Sequence, residues 1–441
     1  MTEEVTPLTP VTNATQDQDI GKYDTTWYRW YVLAMLTGLY TFNFIDRQIL
    51  VILQEPIKAE MGLSDTQLGL LSGLAFAVIY VVAGLPIARW ADRGNRRNIV
   101  TIALVVWSGM TALSGLAQNY WQLLLARVGV ATGEAGGSPP AHSMISDIFK
   151  KEERATALSI YSMGINFGGL IGLLAGGWIA QTMDWRYAFY LVGIPGLLYA
   201  IALRLTVREP PRGFAEKITV VDESPSMIEV AKVLLTRPTF RHMAIAAGLH
   251  AFISYGAANF APSFYIRTHG MDLGPVGTWL ALAGITGAIG TFLGGYLTDK
   301  LMLRDQRWYL WVPAISTLIT LPVSMIIYNV GNPYIALSLQ FVTGLTFSMY
   351  LAPNLALAHS LVGLRMRAMS SAVLFFILNI IGLGLGPLVV GAISDALAPR
   401  FGNDSIRYSL MLVVCVFNIW CVFHYWMASR TVREDLALAP K

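Results

Sequence analysis

The chain has 441 residues, 55% hydrophobic and only 13% charged, with a formal net charge of +4. Soluble globular domains carry about 25% charged residues, so these proportions exclude an ordinary soluble enzyme, and no basic region stands clear of apolar segments to serve a nucleic acid. Cys415 and Cys421 fall in one apolar stretch and provide no disulfide framework.

Apolar runs of about 18 residues or more, the length that crosses a bilayer as a helix, recur along the chain. They predict twelve spans, near 29–52, 66–90, 98–117, 121–146, 156–181, 186–206, 241–266, 276–298, 308–329, 333–357, 369–394 and 406–428. Alternation with a period of two is absent, which excludes a membrane β-barrel. The expected fold is an all-α polytopic membrane protein with two pseudo-symmetric six-helix bundles, 28–206 and 241–428. A polar tail (1–27) precedes them, a linker (207–240) separates them, and a short tail (429–441) follows. Residues 226–236 of the linker read as an amphipathic helix.

In chain order, the first span holds Phe44-Ile45-Asp46-Arg47, an acid and a base within an apolar helix. A charge at mid-membrane depth costs at least ~2.5 kcal/mol on insertion scales and marks an ion or substrate pathway. The loop after span 2 reads Ala88-Arg-Trp-Ala-Asp92-Arg93-Gly94-Asn95-Arg96-Arg97. Span 4 contributes the other acid and base, Arg127 and Glu134, seven residues apart and so on one helix face. Pro139 and Pro140 then break that helix. Span 5 carries a run of glycines from Gly164 to Gly177 whose spacing allows close helix approach. Asp184-Trp185-Arg186 before span 6 reads as an anchor of the fold.

The second half repeats the first weakly at a constant offset: Arg154 with Arg367, Asn166 with Asn379, Pro140 with Pro353. Asp299-Lys300 ends span 8 as Asp92-Arg93 ends span 2. No mid-membrane acid recurs there, and Phe347 stands where Glu134 does. The candidate cavity residues of this half are His250, Tyr255, Asn259, Asn354 and Asn379. Basic residues gather in alternate loops, which by the positive-inside rule puts those loops and both termini in the cytoplasm. No phosphate-binding Gly-x4-Gly-Lys loop and no metal-ligand cluster occurs, so neither a cofactor nor a catalytic residue is expected.

The loop at 88–97 resembles the signature loop of the major facilitator superfamily, with Ala88 in place of the leading Gly and Gly94 one position early. The resemblance implies a cytoplasmic latch from Asp92, Arg93, Arg96, Arg97, Arg154, Asp299 and Lys300; topology alone would also explain the arginines. Phe44…Asp46-Arg47 with Arg127…Gly133-Glu134-Ala135…Pro139, Asp147 and Arg154 resembles the Spinster family of lipid carriers and their bacterial relatives. That resemblance implies a monomeric carrier of the bacterial inner membrane, moving a small amphiphile of lysophospholipid or sphingoid type among membrane lipids. It also implies Asp46, Arg47, Arg127 and Glu134 as the charged set, with H⁺ as the coupling ion. From the residues themselves, Glu134 first and Asp46 second read as proton carriers, since burial raises a carboxylate's pKa and a nearby arginine lowers it; the same set also reads as a permanent scaffold or a gate. A drug or organic-anion carrier of the same fold, or a non-transporting sensor, remains open.

Overall fold

The computed structural model describes residues 23, 25–215 and 226–439. Most of the expected 1–27 tail and the centre of the 207–240 linker lie outside the described residues. Seventeen helices are labelled in chain order. The first half contains α1 (Thr26–Ile52), α2 (Gln54–Met61), α3 (Asp65–Arg93), α4 (Arg96–Ser114), α5 (Tyr120–Glu134), α6 (Ser138–Ile148), α7 (Lys151–Thr182) and α8 (Trp185–Thr206). The linker forms α9 (Met227–Thr236). The second half contains α10 (Pro238–His269), α11 (Leu273–Met302), α12 (Trp308–Asn329), α13 (Pro333–Ser348), α14 (Leu351–Ser360), α15 (Arg367–Ile377), α16 (Gly386–Phe401) and α17 (Ser405–Ala437). Pairs α5–α6, α13–α14 and α15–α16 each complete one span, giving the expected twelve.

Helix starts follow local chemistry. Asn95, Asn119 and Asp184 each accept a hydrogen bond from a backbone N–H of the first turn that follows, and Ser226 closes a capping box with Glu229. The fourth span breaks at Ala135–Gly137, where Pro139 and Pro140 begin a new helix. Stretches long and apolar enough to cross a membrane cover every span except the first, fourth and seventh. Those three carry the charges and polar groups, because they face the centre rather than lipid.

The span 5 glycines set the packing of the first lobe. A Cβ at Gly164, Gly168, Gly172 or Gly176 would meet Tyr40, Phe44, Gln48 or Ile52 of α1, so these two helices touch backbone to backbone. Gly177 meets Leu273 and Gly277 meets Leu173 in the same way, which seats α7 on α11 across the two lobes.

One apolar core runs through both lobes at the end away from the Arg-rich loops, joining Ile49, Leu53 and Phe189 to Phe264, Val390 and Val414. Toward the Arg-rich end the core divides. Leu33, Trp107 and Tyr161 belong to a cluster drawn from the first half apart from Leu383, and Phe240, Leu310 and Tyr425 to one that contains no residue of the first six spans. The lobes are therefore joined at one end and parted at the other.

The Asp184–Arg186 anchor is realised on the joined end. Glu60 of α2 accepts from both Arg186 Nη atoms, at 2.7 and 2.8 Å, and from Trp185 Nε1 at 2.7 Å. Arg186 and Trp185 hold the Glu60 carboxyl down at about 2, below its usual 4.5. A depressed carboxylate stabilises the fold above its unfolded-state value and loses that contribution as pH falls through the folded one. Loss of the Glu60 contacts with Arg186 and Trp185 is therefore expected between pH 4.5 and 2, with no change at neutral pH. A change in Trp185 fluorescence in acid titration, absent in Trp185→Phe, would read that loss, since the indole donates to Glu60.

Candidate functional site

The four buried charges pair crosswise between α1 and α5. Arg127 Nη1 donates to Asp46 Oδ1 at 3.1 Å, and Arg47 Nε donates to Glu134 Oε2 at 2.7 Å. Adjacent residues on a helix diverge by about 100°, yet Asp46 and Arg47 both meet α5, because long arginine side chains supply the reach. The shared face of Arg127 and Glu134 is the face that receives them. Asp46 and Arg127 are almost wholly buried, whereas the Arg47 side chain is 21% exposed. Arg47 also lies over the rings of Phe76, Phe44 and Tyr80, at 4.7, 5.1 and 5.3 Å.

The set is electrically neutral but incompletely satisfied. Asp46 Oδ2, Glu134 Oε1 and Arg127 Nε are buried without a hydrogen-bond partner. A buried unsatisfied polar atom costs about 1–3 kcal/mol. Each acid thus keeps one oxygen free to take a proton or a bound group.

Two connected cavities lie beside these charges. A small one of about 80 Å³ reaches Arg47 and Arg127 and is closed by Phe76, Tyr255 and Asn259. A larger one of about 390 Å³ is walled mainly by the second half, with Tyr328, Gln340, Thr343 and Phe347, and no charged side chain lines it. Gln48 and Tyr255 border both. The combined site has a charged compartment in one lobe and a neutral, mostly apolar compartment in the other.

A second charged cluster closes the joined end. Arg267, at the end of α10, makes paired contacts with Glu55 at 2.7 and 2.9 Å and with Asp65 at 2.7 and 2.8 Å. Asp395 of α16 accepts from the Asp65 and Thr66 backbone N–H groups at the start of α3, where the helix dipole favours an anion. Gln54 donates to Asn259 at 2.6 Å just beneath. These contacts join the lobes.

Residues 36–387 match the sequence profile of the Major Facilitator Superfamily. This chain belongs to that superfamily. It is 35% identical to an MFS-type efflux pump of Mycolicibacterium smegmatis over 92% of this chain and 94% of that protein. It is 26% identical to spinster homolog 3 of Danio rerio, over 91% and 85%. A crystal structure of a bacterial homologue of the human lysosomal transporter Spinster, in an inward-facing and unoccupied conformation, superposes with a TM-score of 0.85 at 33% identity. That match covers 93% of this chain and 99% of the other. The protein is therefore a Major Facilitator transporter of Spinster type, a multi-pass integral membrane protein and not an enzyme.

In this Major Facilitator chain the residues expected to form a latch are dispersed. Asp92, Arg93, Asp299 and Lys300 are exposed, and among the described residues neither Asp92 nor Asp299 makes an ion pair. Arg96 is wholly buried within the first lobe, where it binds Asp147, donates to Glu209 at 2.8 Å and donates to the Pro210 carbonyl at 2.7 Å. Arg97 offers its backbone N–H to the same Glu209, and Arg154 donates to the Ser146 carbonyl.

Two expected cavity residues lie elsewhere. His250 is buried between Thr317 and the Phe347 carbonyl and stacked on Tyr350, and Asn354 is buried against the Tyr425 hydroxyl. Both bond inside the second lobe and neither lines either cavity, although Asn354 Oδ1 is buried without a hydrogen-bond partner among the described residues. Tyr255 and Asn259 do line the cavities, and Asn379 sits in the π-helical turn Leu378–Leu385 without lining either. The Arg267–Asp65–Glu55–Asp395 closure escaped sequence reasoning. The available signal was Asp395, an acid at the very end of the apolar run of span 11.

Proposed function

We propose that this transporter works by alternating access and moves an amphiphilic organic or lipid-like substrate of lysophospholipid or sphingoid type, coupled to protons. The cross-paired, incompletely satisfied quartet bordering the small cavity carries this reading. An anionic or zwitterionic head group would meet Arg47, the most exposed of the four charges, while an apolar tail would occupy the neutral compartment beyond Tyr255. Head-group contact with Arg47 would weaken its hold on Glu134 and let that acid take a proton. Binding and protonation would thus be linked through one ion pair.

The Arg-rich loops and both termini are cytoplasmic in this reading, by the positive-inside rule, and the membrane is the bacterial inner membrane. The described conformation is then open inward, with the Arg267 cluster as the outer gate. A maleimide added outside should leave a cysteine at Arg93 unlabelled; outside labelling would reverse the orientation. The working unit is a monomer.

The test is flux in proteoliposomes with a lysophospholipid under an imposed pH gradient. Gradient-dependent uptake is expected, and uptake indifferent to the gradient would remove proton coupling. A second reading, export of drugs or organic anions, draws on the 35% identity to an efflux pump. Transport of unrelated cationic dyes without competition from lysolipid would favour it.

The closed outer end gives a further expectation. A Cβ at Gly391 would run into the Asp65 backbone carbonyl, which no rotamer can relieve. Gly391→Ala should therefore disfavour the closed outer end and shift the population toward outward-open by about tenfold, a bias of ~1.4 kcal/mol. Distances between spin labels on the outer ends of α3 and α16 would report it.

A further inference from the structure

On the lipid-facing surface of the second lobe, far from the quartet, α10 and α17 form a polar seam at the Arg-rich end. His242 and His424 meet across it with their Nδ1 atoms 2.9 Å apart. Around them the surface is what a bilayer interface favours. Trp420, Phe423 and Trp426 are 47%, 48% and 51% exposed on α17, Ile245 is exposed on α10, and Arg430 lies over the Trp426 ring. His424 packs against Trp420 and Phe423. Arg241, one residue before His242, is exposed, and its guanidinium makes no hydrogen bond or ion pair among the described residues. His242 is the fifth residue of α10, about 6 Å from its start at 1.5 Å per residue, which is head-group depth rather than mid-membrane. The α10 N-terminus itself is already taken, since Asp435 accepts from the Thr239 N–H.

We propose that this seam is a binding site for an anionic phospholipid of the leaflet at the Arg-rich end. The phosphate would sit between Arg241 and the two imidazoles, with an acyl chain along Ile245 and Phe423. The chemistry follows from the histidine contact. With two Nδ1 atoms facing, one ring donates its proton to the other, so the donor ring's Nε2 is bare and the acceptor ring's Nε2 carries hydrogen. One added proton, placed on the bare Nε2, leaves the inner hydrogen bond intact. The pair then has one positive charge and two outward N–H donors, suited to a phosphate beside a guanidinium.

The seam's electrostatics are simple. Arg241 is the charge acting on His242, and His242 is the titratable group acting on His424. Trp308–Asn329 of the neighbouring α12 contains no ionisable acid or base other than tyrosine. On α9, Glu229 is turned to its own cap at Ser226, and Lys232 is exposed. Among the described residues, no acid pairs with Arg241, His242 or His424.

The test is native mass spectrometry of the full chain in detergent with dioctanoyl phosphatidylglycerol, against dioctanoyl phosphatidylcholine as the zwitterionic control. Phosphatidylglycerol should bind more tightly than the control, and more tightly at pH 5.5 than at 7.5 by roughly threefold to tenfold, because one added proton turns the neutral pair into a cation facing the phosphate. Arg241→Gln should weaken it roughly tenfold, the loss of one charge-assisted contact. His242→Gln with His424→Gln should abolish the pH dependence. Because Arg241 has no partner to lose among the described residues, Arg241→Gln reads the site even where the double variant fails to fold. Equal binding of both lipids, or unchanged affinity in Arg241→Gln, would overturn the proposal. Displacement of the lipid by millimolar inorganic phosphate would also overturn it, by assigning the site to a free anion.

Discussion

Glu134→Gln is expected to abolish proton-driven accumulation while leaving exchange of substrate across a membrane without a gradient. The substitution keeps the shape of the side chain and an oxygen that can accept from Arg47 at the present 2.7 Å, but it removes the group that binds and releases the proton. Coupling free energies between linked sites run to ~1–3 kcal/mol, a factor of about 5–150, and accumulation should fall by an amount in that range. The permanent-scaffold reading predicts the reverse: exchange and accumulation would fall together, with a lowered melting temperature. Proteoliposome accumulation and counterflow measured side by side separate the two. Arg47→Ala should impair both activities, since Arg47 touches the cavity as well as Glu134.

The largest loss of stability is expected from Arg127→Ala. Its guanidinium and the Asp46 carboxylate are 2% and 1% exposed, and removal of the cation leaves an acid buried with no partner. Breaking one side of a buried pair costs about 3–5 kcal/mol, a large share of the ~5–15 kcal/mol that holds a typical domain. Thermal unfolding followed by tryptophan fluorescence should show a substantially lower midpoint, with poor recovery from membranes. Replacing both partners by apolar residues, Asp46→Leu with Arg127→Met, should recover most of that loss, because the desolvation penalty disappears with the charges. A midpoint equally low in the single and double variants would mean that the pair is favourable beyond its desolvation cost. Arg186→Ala provides the contrast. That arginine and Glu60 are 23% and 46% exposed, and solvent-exposed pairs contribute only about 0–1 kcal/mol.

Much of the site was legible because membrane sequences spend charge sparingly. Asp46, Arg47, Arg127 and Glu134 stand out against apolar helices by identity alone, and the seven-residue spacing in span 4 put two of them on one face. The glycines of span 5 likewise announced close packing, although the partner, α1, could not be read from them. The loop at 88–97 was legible as a superfamily feature, but its state was not. Whether Asp92 meets a partner depends on how the two lobes sit relative to one another, which no local pattern in the chain encodes. His250 and Asn354 misled for a related reason. A polar residue in an apolar helix must face something polar, yet periodicity does not distinguish a cavity from a hydrogen-bonding neighbour such as Thr317 or Tyr425.

The sequence by itself determined the solvent, the number of spans and the location of the costly charges, because hydrophobic length and the expense of buried charge are local properties of the chain. Tertiary structure alone decided the pairing, Asp46 with Arg127 and Arg47 with Glu134, since it depends on how far two side chains reach between separate helices. It also decided that Arg267, Asp65 and Asp395, residues far apart in the chain, converge to close one end of the lobes while the other end stays parted. The His242–His424 seam is of the same kind: two ordinary interfacial histidines become one proton-sharing unit only when α10 and α17 pack side by side.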